Sequence, residues 1–312
     1  MTKIVVLDGS AVMQKDKNFD FLKNFGDFAC YEHTPKELVK ERIKGAEIIL
    51  TNKVIIDKDV IDSSPELKFV SVLATGYNVV DCDYARQRNV IVSNVPAYST
   101  DSVAQHTFAL ILELCAQSGL HGRAVYNYEW CNAKDFCLCL TPIIELKNKV
   151  IGIIGYGSIG KAVAKIAEAF GMQVLVYNRT PYECCVSLEE LYTRSDIITL
   201  HCPLTESNKK MINKEAIALM KKSAIIINTA RGGLIDEDAV AYALNNDKIA
   251  GFGADVLSEE PPKESNNLLR AKNTVITPHI AWASSEARGR LLDITAQNIK
   301  KFLDGEPINV VN

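Results

Sequence analysis

The chain reads as an α/β protein built on doubly wound parallel sheets, and three observations predict it. Apolar runs of strand length alternate with helix-period segments from end to end. The strand candidates fall into two groups, one before Pro96 and one from Val150 onward. A long, uninterrupted helical pattern separates the groups, as a boundary between two sheets would.

In the first group the strands are expected at Lys3–Asp8, Ile48–Asn52, Lys68–Ala74 and Val90–Val95, with helical segments at Pro35–Lys44 and Val80–Arg88. Asp101–Tyr126 is the long helical pattern, and its Ser/Thr/Asp opening suits an N-cap. The second group reads Val150–Ile154, Gln173–Tyr177, Asp196–His201, Ala224–Asn228, Gly251–Asp255 and Thr274–Thr277. Six parallel strands with helices between them meet the requirement of a nucleotide-binding sheet. A last helix, Ser285–Leu303, is expected to return to the first group. The domains predicted are therefore 1–100 plus 287–312, and 101–286, with a cleft between them.

The 312 residues suggest about two domains. A hydrophobic share of 47% and a charged share of 23% are those of an ordinary globular core. A net charge of -3 gives no reason to expect nucleic acid or an anionic membrane as partner. No apolar run reaches the roughly 18 residues of a membrane helix. The Met1–Asp8 segment enters a strand pattern at once rather than a signal sequence, so the expected location is the cytoplasm. The 9 cysteines include no Cys-x-x-Cys pair, which favours reduced thiols over disulfides. Cys131, Cys137 and Cys139 lack the second pair or nearby histidine of a metal site, so no metal is expected.

Strand Val150–Ile154 runs into Gly155-Tyr156-Gly157-Ser158-Ile159-Gly160 and then a helical segment. Gly155 permits a tight turn, Gly157 lets backbone approach a pyrophosphate, and Gly160 lets helix pack on strand. The helical pattern that begins at Lys161 offers N–H groups and a dipole that attract the phosphates, with Ser158 and Ile159 also expected at the cofactor. The next strand ends in Asn178-Arg179-Thr180, where an NAD-binding chain usually carries an acid for the ribose hydroxyls. Neutral Asn178 with cationic Arg179 and hydroxylic Thr180 suits NADP. Arg179 over an adenine face and Asn178 on the ribose would equally suit NAD, so both cofactors stay open.

Three strands of the second group end in side chains that suit hydride transfer to a carbonyl: Arg231, Glu260 and His279. A guanidinium grips a carboxylate bidentately and polarises the neighbouring carbonyl, the role for Arg231. The oxygen that gains charge needs a proton, which an imidazole such as His279 gives and takes back. A carboxylate beside that imidazole favours its protonated form, the role for Glu260, with Glu259 as the other candidate. His201, at another strand end, is the rival acid. The substrate class this chemistry implies is a small 2-oxo or 2-hydroxy acid.

With these residues the chain resembles the D-isomer-specific 2-hydroxyacid dehydrogenase family. The matching pieces are Gly155 through Gly160, Asn228 through Gly233, Asp255 through Pro261, and Pro278-His279. Their order and spacing match over nearly the whole chain. The resemblance implies two Rossmann-like domains, an NAD(P)-binding one inserted into a flavodoxin-like substrate domain, and a homodimer. It implies that the backbone of Leu73-Ala74-Thr75-Gly76-Tyr77-Asn78 receives the substrate carboxylate, naming Ala74, Thr75 and Gly76. It likewise implies cofactor contacts at Thr107, Thr229, Cys202, Pro203 and Asp255, the last toward the nicotinamide carboxamide. Within the family, the 73–78 loop and His279-Ile280-Ala281-Trp282-Ala283 look most like glycerate dehydrogenases, also called hydroxypyruvate reductases. Trp282 would wall a small pocket, and a chain ending at Asn312 leaves no room for a regulatory extension. Hydroxypyruvate or glyoxylate is the substrate this resemblance implies. Two other readings on the same fold are a nucleotide-sensing scaffold of the corepressor kind and a formate- or phosphite-type dehydrogenase.

Overall fold

The computed structural model describes residues 1–14, 16–180 and 185–312. They divide into two compact units, Met1–Ser99 with Trp282–Asn312, and Thr100–Ala281. The second boundary falls at 282 rather than at the expected 287. Residues 282–286 are anchored in the first unit: the Trp282 ring meets Tyr98 edge-on at 6.3 Å, and Ser284 caps the returning helix by accepting from Ala287 N–H.

The first unit holds β1 (Lys3–Val6), β2 (Asp27–Cys30), β3 (Ile48–Thr51), β4 (Phe69–Val72) and β5 (Ile91–Ser93). All are parallel, in the order β2-β1-β3-β4-β5. β3 and β4 are buried throughout, which is why they read as unbroken apolar runs rather than alternating ones. Alternate residues feed two cores: Val5, Ile49 and Val70 face one, while Ile4, Ile48 and Phe69 face the other together with Leu291 and Ile299 of helix Ser285–Leu303. β2 escaped the sequence reading. It is an edge strand whose four residues, Asp-Phe-Ala-Cys, are nowhere fully buried, and only pairing with β1 defines it. The helix expected at 35–44 is a 3₁₀ turn, Lys36–Leu38, running into a single helical turn, Val39–Arg42.

The second unit holds β6 (Val150–Ile154), β7 (Gln173–Tyr177), β8 (Ile197–Leu200), β9 (Ile225–Asn228), β10 (Gly251–Ala254) and β11 (Thr274–Ile276). They are parallel, in the order β11-β10-β9-β8-β6-β7. From β6 the sheet grows in one direction to β7 and in the other to β8 and beyond. The β6/β8 junction is therefore its topological switch point, outside whose carboxyl ends ligands bind in such sheets. The long helical pattern divides into Thr100–Ala116 and Ser118–Tyr126, with Gln117 between them at φ 47°. The break has a local cause: Glu113 turns its carboxylate onto the Ser118 hydroxyl and Gly119 N–H, capping the second helix.

Among the described residues no helix is long and apolar enough to cross a membrane. The described cysteines are free thiols; Cys184 lies outside the described residues.

Candidate active site

At the switch point, Gly155 follows β6 with φ 96°, and a Cβ there would stand 2.7 Å from Cys202 N. The loops after β6 and β8 thus touch backbone to backbone, and only glycine fits. A Cβ on Gly160 would meet Gly155 O at 2.1 Å, so the turn and the helix Ser158–Ala169 close on each other there. Gly157 differs: nothing lies within 4 Å of where its Cβ would be, and as N-cap it makes no side-chain cap. An open cradle of backbone before a helix start whose dipole is positive fits a pyrophosphate. Ser158 and Ile159 are the first residues of that helix.

Asn178 is a brace. Its Oδ1 accepts from Tyr156 N–H at 3.1 Å, and its Nδ2 donates to Thr180 O at 2.8 Å. Arg179 and Thr180 are exposed beside it, and residues 181–184 lie outside the described set. In the loop after β8, Asn208 donates to Pro203 O at 2.8 Å and accepts from Thr205 N–H at 2.7 Å, which shapes the Cys202–Thr205 turn. Burial pushes the Cys202 thiol up, keeping it protonated. Asn208 was not singled out from the sequence; its only signal is an Asn three residues after Thr205 in a loop.

His201 is not equipped to be the acid. Its Nε2 lies 2.9 Å from Thr199 Oγ1, and burial drops its pKa to about 3, so it is neutral at physiological pH.

The three side chains expected to be reactive sit beyond β9, β10 and β11. Asn228, the last residue of β9, ties the Arg231 turn on both sides: Oδ1 accepts from Ala230 N–H at 3.0 Å and Nδ2 donates to Arg231 O at 2.9 Å. Gly232 is buried, and a Cβ on it would overlap Leu257 C at 1.9 Å. The turn bearing Arg231 is thereby pressed against the start of the loop bearing Glu260. Arg231 itself is exposed, with Nη1 on Ala230 O at 2.7 Å.

Glu260 Oε2 meets His279 Nδ1 at 2.6 Å, while Oε1 accepts from Leu257 N–H at 3.0 Å. Its neighbour Glu259 pairs instead with Lys263 at 3.1 Å. With Nδ1 committed to the carboxylate, a proton exchange at this ring would run through Nε2. His279 holds φ 55°, a left-handed backbone that turns its ring off the strand line, and its N–H donates to Asp255 O at 2.9 Å.

Asp255 works inside the protein. Its side chain is 1% exposed; Oδ1 accepts from Thr277 Oγ1 at 2.6 Å and Ile280 N–H at 2.9 Å, and Oδ2 from Ala281 N–H at 2.8 Å. Thr107 and Thr229, both buried, pair through their hydroxyls at 3.0 Å. The sequence reading missed Asn228, Thr277 and His106; only Asn228 carried a signal, closing a strand before an Arg-Gly-Gly turn.

In the first unit, the loop after β4 is stapled at both ends. Asn52 donates to Leu73 O at 2.6 Å, Val95 N–H to Ala74 O at 3.0 Å, and Asn94 to Thr75 O at 2.7 Å, while Thr75 Oγ1 donates to Val95 O at 2.9 Å. Among the described residues, no backbone carbonyl accepts from Thr75 or Gly76 N–H, so the turn has donors to offer an anion. Trp282 is half-buried against the core of this unit.

Comparison with known proteins follows the same lines. The family described as D-isomer specific 2-hydroxyacid dehydrogenase, NAD binding domain, matches residues 108–281. A hydroxypyruvate reductase of Blautia hydrogenotrophica is 46% identical over 320 residues, covering 99% of each chain. A glycerate dehydrogenase of Methylorubrum extorquens is 42% identical over 311 residues, covering 99% of this chain and 98% of its own. Among solved structures, an NADPH-dependent glyoxylate/hydroxypyruvate reductase from Sinorhizobium meliloti superposes with a TM-score of 0.86 at 26% identity, covering 100% of this chain and 98% of that one.

Proposed function

The chain belongs to the D-isomer-specific 2-hydroxyacid dehydrogenase family, and from that premise we propose that it reduces hydroxypyruvate to D-glycerate, with glyoxylate as a smaller second substrate. It is an NAD(P)-dependent oxidoreductase of 2-hydroxy acids. The relatives are dehydrogenases and reductases, so neither a scaffold nor a formate or phosphite dehydrogenase is favoured. The observation that carries the mechanism is the 2.6 Å Glu260–His279 pair, with the Glu260 loop pressed against the Arg231 turn.

When bound, the reduced nicotinamide supplies a hydride to C2 of the acceptor. Arg231 holds the acceptor carboxylate and draws electron density toward the C2 oxygen. His279 gives the Nε2 proton to that oxygen, so one C–H and one O–H bond replace the carbonyl π bond. Glu260 holds the imidazole from Nδ1 and offsets its positive charge. In the first unit, the Ala74-Thr75-Gly76 turn is assigned the carboxylate through its N–H groups, and Trp282 an apolar wall. On the cofactor side, the assigned contacts are Gly155, Gly157, Ser158, Ile159 and Gly160 for the pyrophosphate, with Asn178, Arg179, Thr180, Cys202 and Pro203 toward the adenosine. Thr107, Thr229 and Asp255 are assigned to the nicotinamide end, where Asp255 acts through the loop it holds.

A homodimer completes the reading. Tyr126 (83% exposed), Tyr128 (70%) and Phe136 (90%) leave an aromatic segment in water, the residue type enriched at protein interfaces. With only Glu129, Lys134 and Asp135 as charges between Tyr126 and Ile143, that segment suits a second copy of itself. A cytoplasmic setting fits the free thiols.

The test is a panel of hydroxypyruvate, glyoxylate, pyruvate, formate and phosphite assayed with both cofactors in the appropriate direction. Hydroxypyruvate is expected to give the highest kcat/KM. Failure of every 2-oxo acid would overturn the assignment.

A further inference from the structure

We propose that His106 is a positioning residue of the proton-transfer machinery, acting through Thr277 and Asp255 on the turn that presents His279. The proposal rests on the reading of His279 as the acid.

His106 stands on helix Thr100–Ala116, its side chain 18% exposed. Its Nε2 lies 2.8 Å from Thr277 Oγ1 and 3.5 Å from Asp255 Oδ1. Thr277 Oγ1 is in turn 2.6 Å from Asp255 Oδ1. A hydroxyl has one proton to donate, and an ionised carboxylate only accepts. The Thr277 proton therefore goes to Asp255, and Thr277 receives its own hydrogen bond from His106 Nε2–H. The direction of the chain is set: His106 donates to Thr277, which donates to Asp255.

Asp255 passes this restraint on. Its carboxylate takes Ile280 N–H and Ala281 N–H, and its backbone carbonyl takes His279 N–H. Between those bonds His279 keeps its left-handed φ of 55°, a conformation that persists in an L residue only when its surroundings hold it. The helix has a matching grip one residue on, where Thr107 meets Thr229 at 3.0 Å. Thr229 and Thr277 stand two residues before Arg231 and His279 respectively. Two consecutive helix residues thus touch the strand ends that lead to the clamp and to the acid.

Four variants of the full chain test this under saturating cofactor: His106→Leu, Thr277→Val, their double variant, and His106→Gln, whose amide nitrogen can still donate to Thr277. His106→Leu and Thr277→Val are expected to lower kcat by roughly 10- to 100-fold, the cost of misplacing a reacting group by about 1 Å. The KM for hydroxypyruvate is expected to hold within about twofold, because Arg231, which holds the acceptor carboxylate, lies outside the chain. His106→Gln is expected to keep kcat within about threefold of wild type. The double variant is expected to be no slower than the slower single one, since both remove the same chain.

Wild-type kcat in His106→Leu, a His106→Gln as slow as His106→Leu, or a double variant with multiplied losses would each overturn the proposal. Should His106→Leu not fold by circular dichroism, the other two single variants decide. A slow Thr277→Val beside a near-wild-type His106→Gln then supports the proposal, and any other pairing overturns it. Two controls keep failures apart. A wild type that reduces no 2-oxo acid sinks the functional reading, and a fully active His279→Ala sinks the acid assignment, each taking this proposal with it. An inactive His279→Ala beside fully active His106→Leu and Thr277→Val sinks this proposal alone.

Discussion

Glu260 is held as firmly as it holds: one oxygen takes Leu257 N–H, the other the His279 ring. Removing the acid, in His279→Ala, is expected to cut kcat by about 10²–10⁴-fold with cofactor affinity intact, checked by steady-state rates beside fluorescence titration of the reduced cofactor. Glu260→Gln acts more subtly. The imidazolium is the form that delivers the proton in reduction, and an amide does not favour it as a carboxylate does. The rate of reduction is therefore expected to fall while the KM for the acceptor holds, and an unchanged rate counts against the pair. At the cofactor end, Asn178 has both amide groups bound to backbone, which leaves Arg179 and Thr180 as the groups to meet a ribose phosphate. Losing a charged hydrogen-bond donor is worth roughly 1.5–3 kcal/mol. Arg179→Ala is expected to lower kcat/KM with NADPH at least about tenfold, and with NADH by less than about twofold. Equal losses with the two cofactors would place Arg179 on the adenine instead.

The elements explain why glycines of one motif class differ. Gly157 faces open space, whereas Gly232 lies against the Leu257–Ser258 backbone. Gly157→Ala is expected to keep its melting temperature and to weaken cofactor binding by about tenfold or more, as a methyl group enters the phosphate cradle. Gly232→Ala is expected to lose roughly 1–3 kcal/mol of stability, because the overlap can be relieved only by moving the Arg231 turn or the Glu260 loop. Thermal melts of the two variants separate the cases. Nearly every strand was legible in the sequence because apolar runs such as Ile225–Asn228 are buried on both faces. What escaped had weak local signals: β2, at an edge, and the break at Gln117, set by the Glu113 side chain.

Over the whole molecule, the first unit is assembled from both ends of the chain. Arg288, 4% exposed, binds Val12 O at 3.1 Å, Met13 O at 3.2 Å and the Asp16 carboxylate at 2.5 Å, fastening helix Ser285–Leu303 to the first residues. The Arg288 hydrogen bond, helped by the Ser285 hydroxyl, lowers the Asp16 carboxyl from 3.8 to about 2. A carboxyl lowered in the fold contributes stability that is complete above its ordinary value and is lost as pH falls toward the folded one. The melting-temperature difference between wild type and Asp16→Asn is therefore expected to be constant above about pH 5 and to shrink steadily as pH falls toward the folded value of about 2. A difference that does not shrink between pH 5 and pH 2 would separate the stabilisation from the charge. Sedimentation tests the assembly: the wild type is expected as a dimer, and Phe136→Asp, placing charge on the most exposed aromatic among the described residues, as a monomer.

The sequence by itself determined the parallel α/β class and the glycine turn after β6, and it singled out Arg231, Glu260 and His279 as the candidates at the strand ends. Each is encoded locally, as a run of apolar residues or a short motif at a strand end. Tertiary structure alone decided which glutamate meets His279, that His201 is a neutral group, and that His106, Thr277 and Asp255 form one chain of hydrogen bonds. The reason is distance along the chain: His106 and Thr277 are 171 residues apart, and their contact exists only because β11 ends beside the helix that carries His106.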